Sequence, residues 1–504
     1  MNTPVNSGVS SASPLFQAEY GHLIHGEWVG GSSGKTIDII NPASGAHLAK
    51  IQAGTPEDIK RAVESAQKAF TSWSQTHPLE RQAVLRGIAN KLKARLQEYA
   101  QMETTDNGKP ITDTMNFDIP ATAGMYDYFA DLPLHIKGET LSFPDTVYFT
   151  NREPLGVCAA IVPWNIPLFA TALKIGPALA AGNTVVLKPA ETTCLAVLEL
   201  FRDCQDIIPP GVVNIVTGYG PDVGEALVTH PLVRKVAFTG SKPTARKIIG
   251  YASHNIIPQT MELGGKSANI ICADADLDAA AEGVAMSTVF NKGEVCIAGT
   301  RTFVHDAVRD EFMEKLARLI KGIRQGDPLD PTTQIGPQAS QIQFDKILHY
   351  LDLGPKEGAN VFSGGGKANI PGFEKGFFIQ PTIFDNVHND MVIAQDEIFG
   401  PVTCILGWND EDEVIRQANA SPYGLGGGVW TRDVARAHKF VRQMQTGTVW
   451  VNRFYNFVPG IPLGGFKESG FGREGTVDSL YHYTQVKSVV IDLKQGPLGL
   501  YAGH

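Results

Sequence analysis

Residues 158–188 read CAAIVPWNIPLFATALKIGPALAAGNTVVLK. Two short apolar runs, CAAIV at 158–162 and TVVLK at 184–188, enclose a stretch near 168–181 with helical character. Short apolar runs favour buried strands, and a strand, a helix and a second strand in succession indicate a βαβ unit. This segment therefore predicts a parallel sheet.

The same alternation continues along the chain. Apolar runs recur as VVNIV at 212–216 and KVAFT at 235–239, with helical stretches at 194–206 and 222–229. Strands that alternate with helices predict an α/β fold with a doubly wound, parallel sheet. Sheets of this kind bind ligands at the carboxyl ends of their strands.

A second α/β region begins near residue 267, where SANIICA predicts a strand and DLDAAAEGVAMSTVF a helix. The strands RTFVH, TCILGW and TVWVN and a charged helix at 306–322 follow. The run QVKSVVIDL at 485–493 lies far from these strands. We expect it to pair, together with the alternating stretch near 134–150, outside both regions.

Two amphipathic helices are predicted before the first sheet. Residues 56–73 carry apolar side chains at helical spacing, with Thr55 as the N-cap and Pro56 in the first position. A longer helix carries Leu85 to Tyr99 on one face. The N-terminal stretch MNTPVNSGVSSASP lacks the pattern of a secretory signal and predicts a flexible tail.

The composition is that of an ordinary globular protein. The chain has 504 residues, 43% of them hydrophobic, and its net charge of −9 argues against nucleic acid as a general partner. Residues 154–173 carry no charge, but prolines interrupt them, which argues against a membrane span. The six cysteines form no CxxC pair, and the histidines form no HExxH pattern. We expect no disulfide framework, no metal site and a reducing, cytoplasmic location.

Several residues are candidates for chemistry, although each has an ordinary structural explanation as well. Cys296 follows a helix in the loop NKGEVCIAGT, whose small residues give little cover, whereas most free cysteines are small buried hydrophobes. Asn165 lies between two prolines and either ties a turn or points its amide at a ligand. Glu262 precedes two glycines where the two α/β regions meet, and such glutamates are usually capped or solvated.

Three short motifs could bind phosphate or ribose. GYGPDVG at 218–224 follows a strand, but its spacing is GxGxxxG rather than GxGxxG, and a plain strand–helix turn explains it equally well. Ser241 in FTGS can cap the next helix, whose free N–H groups suit phosphate. Lys188 and Glu191 in LKPAE end a strand, where they either bind ribose hydroxyls or form a surface pair.

Together these motifs resemble the aldehyde dehydrogenase superfamily, in its NAD(P)-dependent, hydrolytic (non-acylating) branch. Each motif is weak by itself, but their order along the chain makes the resemblance specific. It covers about residues 20–493. The motifs are PWNIP, LKPAE, FTGS, MELGGKS, GEVC, EIFGPV and PLGGFKESGFGRE.

The resemblance implies a role for each matching residue. Cys296 matches the nucleophile and Glu262 the general base. Asn165 matches the side-chain donor of the oxyanion hole, which the Cys296 N–H completes, and Glu474 matches an acid in the proton-relay region. The matching cofactor contacts are Lys188 and Glu191 for the adenosine ribose, Ser241 for the pyrophosphate, Glu397 for the nicotinamide ribose and Phe399 beside the nicotinamide, together with Gly220, Phe238 and Gly240.

These residue types suit one reaction. The Cys296 thiolate attacks the aldehyde carbon, and preorganised donors stabilise the oxyanion, each being typically worth about 2.7–4 kcal/mol. The thiohemiacetal loses a hydride to the nicotinamide and becomes a thioester. Glu262 then takes a proton from water, which hydrolyses the thioester to the acid. Members that pass the acyl group to coenzyme A commonly lack this glutamate, so its presence favours water as the acceptor.

One departure from the family pattern bears on the cofactor. The family usually has Thr-Glu-Val-Gly after FTGS, whereas this chain has Lys-Pro-Thr-Ala at 242–245. Glu191 would repel the 2′-phosphate of NADP, while Lys242 could attract one. We expect NAD as the cofactor, with NADP as the alternative.

By position, the resemblance implies a tunnel that leads to the nucleophile, and its residues 166, 169, 170 and 173 should share one helical face. We expect medium-sized apolar or aromatic aldehydes as substrates, rather than acetaldehyde or betaine aldehyde. If Arg453 points inward, a semialdehyde with a carboxylate is the alternative. The predicted lining is Ile166, Phe169, Ala170, Leu173, Val295, Ile297, Phe457 and Leu463, with Arg453 as the charged candidate.

The resemblance also implies domains and assembly. A Rossmann-like NAD-binding domain, an α/β catalytic domain and a small β oligomerisation element should form a homodimer or homotetramer through the strand at 485–493. Two other functions stay open: a non-catalytic member that only binds NAD, and cofactor-free thiol esterase activity. The expected bounds are 1–20 for the tail, 21–130 and 151–263 for the NAD-binding domain, 264–475 for the catalytic domain, and 131–150 with 476–504 for the oligomerisation element.

Overall fold

The computed structural model describes residues 15–494, 496 and 500. Its first sheet has eight strands, and five adjacent ones are parallel, as the sequence predicts. Antiparallel strands close both edges, two from the N-terminal segment and one that returns from the far end of the chain. The order across the sheet is Gly470–Phe471, Gln259–Glu262, Val233–Thr239, Val157–Ile161, Thr184–Lys188, Val213–Ile215, His22–Ile24 and Glu27–Val29.

Both faces of this sheet are buried. In the strand Val157–Ile161, Cys158 and Ala160 belong to one hydrophobic cluster, while Ala159 and the two end residues belong to another. Successive strand residues point to opposite faces, so helices cover both sides. This double burial explains why the sequence shows unbroken apolar runs at these strands instead of alternation.

The helix Pro56–Trp73 has the predicted bounds. The Thr55 hydroxyl accepts a hydrogen bond from the Glu57 N–H, and the Asp58 carboxylate accepts one from the Thr55 N–H. This capping box satisfies backbone donors that the first helical turn leaves free. The helix Pro167–Ala180, predicted near 168–181, is buried at every position.

Two helices, Pro78–Ala94 and Leu96–Asn107, replace the single long helix that the sequence predicts. At Arg95 the backbone leaves the helical region, with φ −121° and ψ 31°. Arg95 and Tyr99 both donate to Asp203, a tertiary contact that holds the second helix and that periodicity does not encode. The other helices of this half are Ile111–Asp113, Ile119–Ala130, Leu195–Asp203, Glu225–Thr229 and Lys242–Ser253, with π-helical turns at Thr114–Asp118 and Gly220–Gly224.

The second α/β region forms a seven-stranded sheet, in which all neighbours are parallel except one edge pair. All of its predicted strands are present. The order is Asn360–Ser363, Thr382–Asp385, Val402–Trp408, Arg301–His305, Ala268–Ile271, Gly426–Trp430 and Thr448–Val451. The helices are Leu277–Val289, Arg309–Lys321, Gln341–Lys356, Val392–Gln395, Glu411–Asn419, Val434–Gln443 and Val477–Tyr481.

Two small sheets lie outside these layers. Thr484–Asp492 pairs antiparallel with Thr146–Pro154, which also pairs with Thr140–Ser142, so the predicted pairing of the two distant stretches is confirmed. Glu19–Tyr20, Thr36–Ile40 and His47–Gln52 form another sheet that the sequence analysis missed. The domain bounds stay a prediction, and most of the expected tail lies outside the described residues.

Residues 154–173 contain the end of one strand, the strand Val157–Ile161 and the start of a buried helix. Over the described part of the chain, every helix is too short or too polar to cross a bilayer.

Candidate active site

Cys296 lies in a loop with an unusual backbone. After the helix Leu277–Val289, the residues Asn291, Lys292 and Gly293 all adopt left-handed conformations, with φ values of 48°, 62° and 76°. Such a conformation costs roughly 1–2 kcal/mol for a non-glycine residue, so the surroundings must hold it. All six cysteines are described: five are buried, and Cys296 is mostly buried with a small exposed part.

The surroundings of Cys296 favour the neutral thiol over the thiolate. Burial, and then the charges of Glu397 and Glu262, raise the pKa of Cys296 to about 12. The backbone N–H groups of Cys296 and Ile297 act in the opposite direction. Because the thiolate is the nucleophile, attack requires a base or a change in these neighbouring charges.

Glu262 ends the strand Gln259–Glu262 and is buried. Its Oε1 has no hydrogen-bond partner among the described residues. Burial, and then the charge of Glu474, raise the pKa of Glu262 well above its usual range, against the opposing charges of Lys174 and Arg473. A buried carboxyl with a raised pKa is suited to proton transfer near neutral pH.

Lys174 joins Glu474 to the first sheet. Its Nζ donates to Glu474 Oε1 at 2.8 Å and to Thr239 Oγ1 at 2.6 Å. Thr239 is the register partner of Glu262 in the neighbouring parallel strand. The two glutamates and Lys174 therefore form one group of buried ionisable side chains, of which the sequence analysis found only the acids.

The Asn165 side chain lies on the wall of the cavity that contains Cys296. Its Nδ2 donates to the Glu294 carbonyl oxygen at 2.8 Å. A primary amide carries two N–H groups, so this bond fixes the amide and leaves a second donor for a ligand. The arrangement suits the predicted oxyanion donor.

The carboxyl ends of the parallel strands carry the first group of predicted cofactor residues. Lys188 ends its strand, and its Nζ lies 2.8 Å from Glu191 Oε2. Ser241 caps the helix Lys242–Ser253, since its Oγ accepts from the Thr244 N–H at 3.5 Å. An acid beside a strand end and a capped helix N-terminus fit a ribose and a phosphate, respectively.

The ring of the predicted residue Phe238 occupies the space that a side chain at the predicted position Gly240 would need. A Cβ on Gly240 would lie 2.5 Å from Phe238 Cζ, so the ring requires glycine there. Gly220 begins a π-helical turn and has open space where a Cβ would be. The structure therefore gives no steric reason for a glycine at 220, and its cofactor role stays a prediction.

Glu397 is fixed against the glycines of MELGGKS. The Gly265 N–H donates to Glu397 Oε1 at 2.9 Å, and burial raises the pKa of Glu397. Phe399 has a left-handed backbone, with φ 62°, and its ring packs at 5.2 Å from that of Trp164. Trp164 precedes Asn165, so these two predicted cofactor residues lie close to the proposed reacting groups.

Lys242, the departure from the family pattern, already has partners. Its Nζ lies 3.0 Å from Glu468 Oε2 and 3.9 Å from the centre of the Tyr423 ring. Arg246 also pairs with Glu468, at 3.2 Å. These contacts leave Lys242 poorly suited to attract a 2′-phosphate.

Two adjoining cavities form an apolar passage to Cys296. The inner cavity contains Cys296, and the outer one reaches the loop at 456–463. Phe169, Phe457 and Leu463 line both cavities. The predicted residues found on the walls are Ile166, Phe169, Leu173, Val295, Ile297, Phe457 and Leu463.

Ala170 and Arg453 are corrected, because neither belongs to these walls. Ala170 is 1% exposed and packs into the core, since it lies at the edge of the helical face that the passage uses. Arg453 follows the strand Thr448–Val451 and is exposed. The observation that would favour a semialdehyde substrate is therefore lost.

The sequence analysis missed two aromatic residues in the inner cavity. Phe117 and Phe290 line it, and their ring centres are 5.3 Å apart. Phe117 also packs against Phe169 and Phe457, at 6.0 and 5.4 Å. Phe117 lies in the π-helical turn Thr114–Asp118, for which the sequence has no signal, whereas the closeness of Phe290 to Cys296 could have indicated its role.

The passage has one acidic lining residue, Asp118, and its charge is paired. Lys109 Nζ lies 2.5 Å from Asp118 and 3.0 Å from Glu103, and all three side chains are buried. The lining residues of the two cavities therefore present no unpaired charge to a ligand. Within the described residues, no three potential metal ligands come together.

A partly exposed cysteine and an amide donor share one cavity, and a buried glutamate ends a strand of the doubly wound sheet, a kind of fold that binds dinucleotides at the carboxyl ends of its strands. The aldehyde dehydrogenase family model matches residues 28–489. The chain therefore belongs to the aldehyde dehydrogenase family, whose members are oxidoreductases acting on aldehydes.

Individual relatives cover nearly the whole chain. An aldehyde dehydrogenase of Deinococcus radiodurans is 41% identical over 503 residues, 98% of this chain and 97% of the relative. A betaine aldehyde dehydrogenase of Brucella anthropi is 41% identical over 479 residues, 95% and 98% of the two chains. The NAD+ complex of an aldehyde dehydrogenase from Bacillus cereus has a TM-score of 0.92 at 40% identity, covering 94% of this chain and 97% of that one.

Proposed function

We propose that this protein oxidises an aldehyde to its carboxylic acid through a covalent intermediate on Cys296, with NAD as the oxidant. The observation that carries the proposal is the meeting of Cys296 and Asn165 on the wall of one apolar cavity. Glu262 is buried, and its Oε1 has no hydrogen-bond partner among the described residues. It lies close enough to Cys296 for its charge to raise the pKa of the thiol.

Cys296 and Asn165 perform the first half of the reaction. The Cys296 thiol passes its proton to Glu262, and the resulting thiolate attacks the aldehyde carbon and forms a thiohemiacetal. The second Asn165 N–H and the Cys296 N–H donate to the oxygen, on which negative charge develops. Loss of hydride from the same carbon then gives the thioester.

Glu262 performs the second half. It accepts a proton from water, and the resulting hydroxide attacks the thioester carbon, which releases the acid and the Cys296 thiolate. Glu474, whose charge acts on Glu262, can receive the proton from this buried carboxyl, and the Lys174 ammonium group donates a hydrogen bond to Glu474. Such a path avoids leaving an isolated charge in the interior.

The residues at the strand ends fit NAD. Ser241 at a helix N-terminus suits the pyrophosphate, Lys188 and Glu191 suit the adenosine ribose, and Glu397 suits the nicotinamide ribose. When bound, NAD supplies the acceptor for the hydride. The Glu191 carboxylate disfavours a 2′-phosphate, and Lys242 is held by Glu468, so we favour NAD over NADP.

Medium-sized apolar or aromatic aldehydes fit the passage. Its walls are mostly aliphatic and aromatic, and the acidic lining residue Asp118 is ion-paired with Lys109. An unpaired carboxylate would favour a quaternary ammonium group, and an unpaired cation would favour a substrate carboxylate; the described walls have neither. For this reason we do not propose betaine aldehyde, the substrate named for the Brucella relative, as the substrate of this chain.

The test is NADH formation from a panel of aldehydes by wild type, Cys296→Ala and the matched control Cys272→Ala. Cys272 is buried in the second region, so its substitution should keep activity. We expect Cys296→Ala to lose activity and benzaldehyde-like substrates to have a higher kcat/KM than acetaldehyde or betaine aldehyde. Full activity of Cys296→Ala would refute the covalent mechanism.

Two other functions are distinguished by measuring NAD binding and ester hydrolysis beside NADH formation. A protein that binds NAD but oxidises no aldehyde would be a non-catalytic member of the family. Ester cleavage that needs Cys296 but no NAD would be a side activity of the same thiol. Glu262 favours the full reaction, because its buried Oε1 has no hydrogen-bond partner in the described part of the chain and a binding protein has no use for such a costly group.

We also propose a homodimer or homotetramer, assembled through the small sheet that contains Thr484–Asp492. Several apolar side chains of this sheet are exposed, which is costly for a monomer. Six unpaired cysteines suit a reducing cytoplasm. The exposed apolar residues are Leu141, Tyr148, Val486, Val490 and Ile491.

A further inference from the structure

Lys292 and Glu294 are charged, fully buried and close to the nucleophile in sequence. The mechanism above uses neither of them. Lys292 Nζ lies 2.8 Å from Glu294 Oε2, and Glu294 Oε1 accepts from the Ala339 N–H at 3.0 Å. Burying an ion pair costs desolvation energy and does not by itself stabilise a fold, so the pair calls for another explanation.

Lys292 also binds a residue from a distant helix. Its Nζ donates to the carbonyl oxygen of Asn107 at 2.8 Å and to Asn107 Oδ1 at 2.6 Å. Asn107 is the last residue of the helix Leu96–Asn107. Glu294 Oε2 lies beside the same ammonium group as an ion-pair partner, and the two hydrogen bonds of the ammonium group both go to Asn107.

Asn107 also binds the loop that carries Asn165, so it links this loop to Lys292. Its Nδ2 donates to the Trp164 carbonyl oxygen at 2.7 Å. The Thr193 hydroxyl donates to the same oxygen, also at 2.7 Å. Trp164 directly precedes Asn165, so the peptide that leads into the oxyanion donor is fixed from two sides.

The loops of Cys296 and Asn165 also bind each other directly. Asn165 Nδ2 donates to the Glu294 carbonyl oxygen at 2.8 Å. Asn291 Nδ2 donates to the Asn165 carbonyl oxygen at 3.0 Å. A closed ring of contacts therefore runs from Lys292 through Asn107 and the Trp164–Asn165 loop back to Glu294.

The ring encloses the strained turn at residues 291–293. Two of its members, Asn291 and Lys292, are non-glycine residues in left-handed conformations. Such conformations persist only where the surrounding structure determines them, and they cluster at functional sites. Here the side chains of the strained residues supply part of the constraint.

We propose that Lys292 and Asn107 are positioning residues, which hold the Cys296 loop and the Asn165 loop at the separation that oxyanion stabilisation requires. The inference rests on the proposed roles of Cys296 and Asn165. It goes beyond them because neither Lys292 nor Asn107 touches the reacting atoms. The competing explanation is that Lys292 only neutralises Glu294.

The double variant Lys292→Met/Glu294→Gln separates these explanations. It removes both charges, so no uncompensated carboxylate remains, but it also removes the link to Asn107. Asn107→Asp gives an independent test, because the carboxylate still binds Lys292 but has no N–H for Trp164. Glu294→Gln alone is the matched control, since it keeps the contacts between Lys292 and Asn107.

The readouts compare two reactions of the same thiol. Aldehyde oxidation develops an oxyanion, whereas alkylation by iodoacetamide requires the thiol but no oxyanion. For the double variant and for Asn107→Asp, we expect kcat and kcat/KM to fall together by about 10- to 100-fold, as small misplacements of reacting groups do. Alkylation rates and Tm should stay close to wild type, and Glu294→Gln should retain most activity.

Wild-type kcat in both the double variant and Asn107→Asp would overturn the proposal. A parallel fall of kcat, alkylation rate and Tm would also overturn it, because it would show a role in folding alone. Asn165→Ala and Cys296→Ala are measured alongside. If Asn165→Ala or Cys296→Ala keeps full activity while the double variant and Asn107→Asp lose it, the proposed function is wrong. The coupling of the two loops would still hold in that case.

Discussion

A Cβ on Gly265 would lie 2.3 Å from the carbonyl oxygen of Cys296. A Cβ on Gly264 would lie 2.2 Å from Glu397 Oε2. Both distances are far below van der Waals contact. The two glycines of MELGGKS are therefore needed for close packing against the nucleophile and against a predicted cofactor residue.

We expect Gly265→Ala to lower kcat by about 100-fold, because the Cys296 carbonyl is backbone and must move with the nucleophile. Tm should fall as well. The control is Gly250→Ala, at an exposed position with open space in the helix Lys242–Ser253. Alanine there should stabilise the helix by about 0.5–1 kcal/mol and leave kcat unchanged. Equal kcat in both variants would contradict the steric argument.

Glu262→Gln should raise Tm, and the gain should grow with pH. Burial and the Glu474 charge raise the pKa of Glu262 in the folded protein, so the unfolded chain loses this proton at lower pH. Between the two pKa values the folded state binds more protons, and the free energy of unfolding falls as pH rises. Glutamine cannot ionise, so the variant does not lose this part of the free energy of unfolding as pH rises. Differential scanning fluorimetry at about pH 6 and about pH 9 measures it.

The control for this prediction is Glu282→Gln, at an exposed position in the helix Leu277–Val289. Surface substitutions usually change stability by less than about 0.5 kcal/mol, so Tm should hardly move at either pH. If Glu262→Gln gave the same gain at both pH values, ionisation of Glu262 would not be its source.

Replacing Glu191 by Ser should shift the enzyme toward NADP. The carboxylate disfavours the 2′-phosphate, and a hydroxyl can still bind a ribose. We expect kcat/KM for NADP relative to NAD to rise by about 10-fold or more, equivalent to about 1.4 kcal/mol. Lys242→Thr should leave this ratio unchanged, because Glu468 already holds Lys242. A large loss of NADP use in Lys242→Thr would show that Lys242 binds the phosphate.

Phe117→Ala should widen the inner cavity, because the Phe117 ring packs among three other lining phenylalanines. We expect kcat/KM for bulky aromatic aldehydes to rise relative to that for small ones. The control Phe362→Ala, exposed in the edge strand Asn360–Ser363, should keep the wild-type ratio. An unchanged ratio in Phe117→Ala would remove the ring from the specificity argument.

The variant Val486→Asp/Val490→Asp should reduce the proposed oligomer to a smaller species in light scattering. Both side chains are more than half exposed in the strand Thr484–Asp492, and a charge there opposes burial between subunits. The control is Ile342→Asp, because Ile342 is 84% exposed in the helix Gln341–Lys356, outside this sheet. The assembly proposal is wrong if both variants keep the wild-type mass, or if wild type is already a monomer.

The layers of the fold were predictable, because local periodicity and burial agree in them. The strand Thr184–Lys188 and the helix Pro56–Trp73 have the bounds that the sequence indicates. The break at Arg95 was not predictable, because it depends on Asp203, a residue distant in sequence. The small N-terminal sheet was not predictable for a similar reason, because its short strands are defined by the strands with which they pair.

The site was predictable where a residue type defines a chemical role. Cys296 and Asn165 line one cavity and the charge of Glu262 acts on Cys296, while their catalytic roles stay predictions. Phe117 was not predictable, because a π-helical turn directs it into the cavity. Arg453 shows the opposite error: a charge near an active-site loop in sequence is exposed in the fold.

The strand Gly470–Phe471 pairs with the strand that ends at Glu262. Contacts between residues so distant in sequence require closure of a long loop, and they form late in folding. The strand Gly470–Phe471 follows both Glu262 and Cys296 along the chain, so a ribosome makes it after both of them. The edge of the sheet beside the base is therefore completed only after synthesis has passed residue 471.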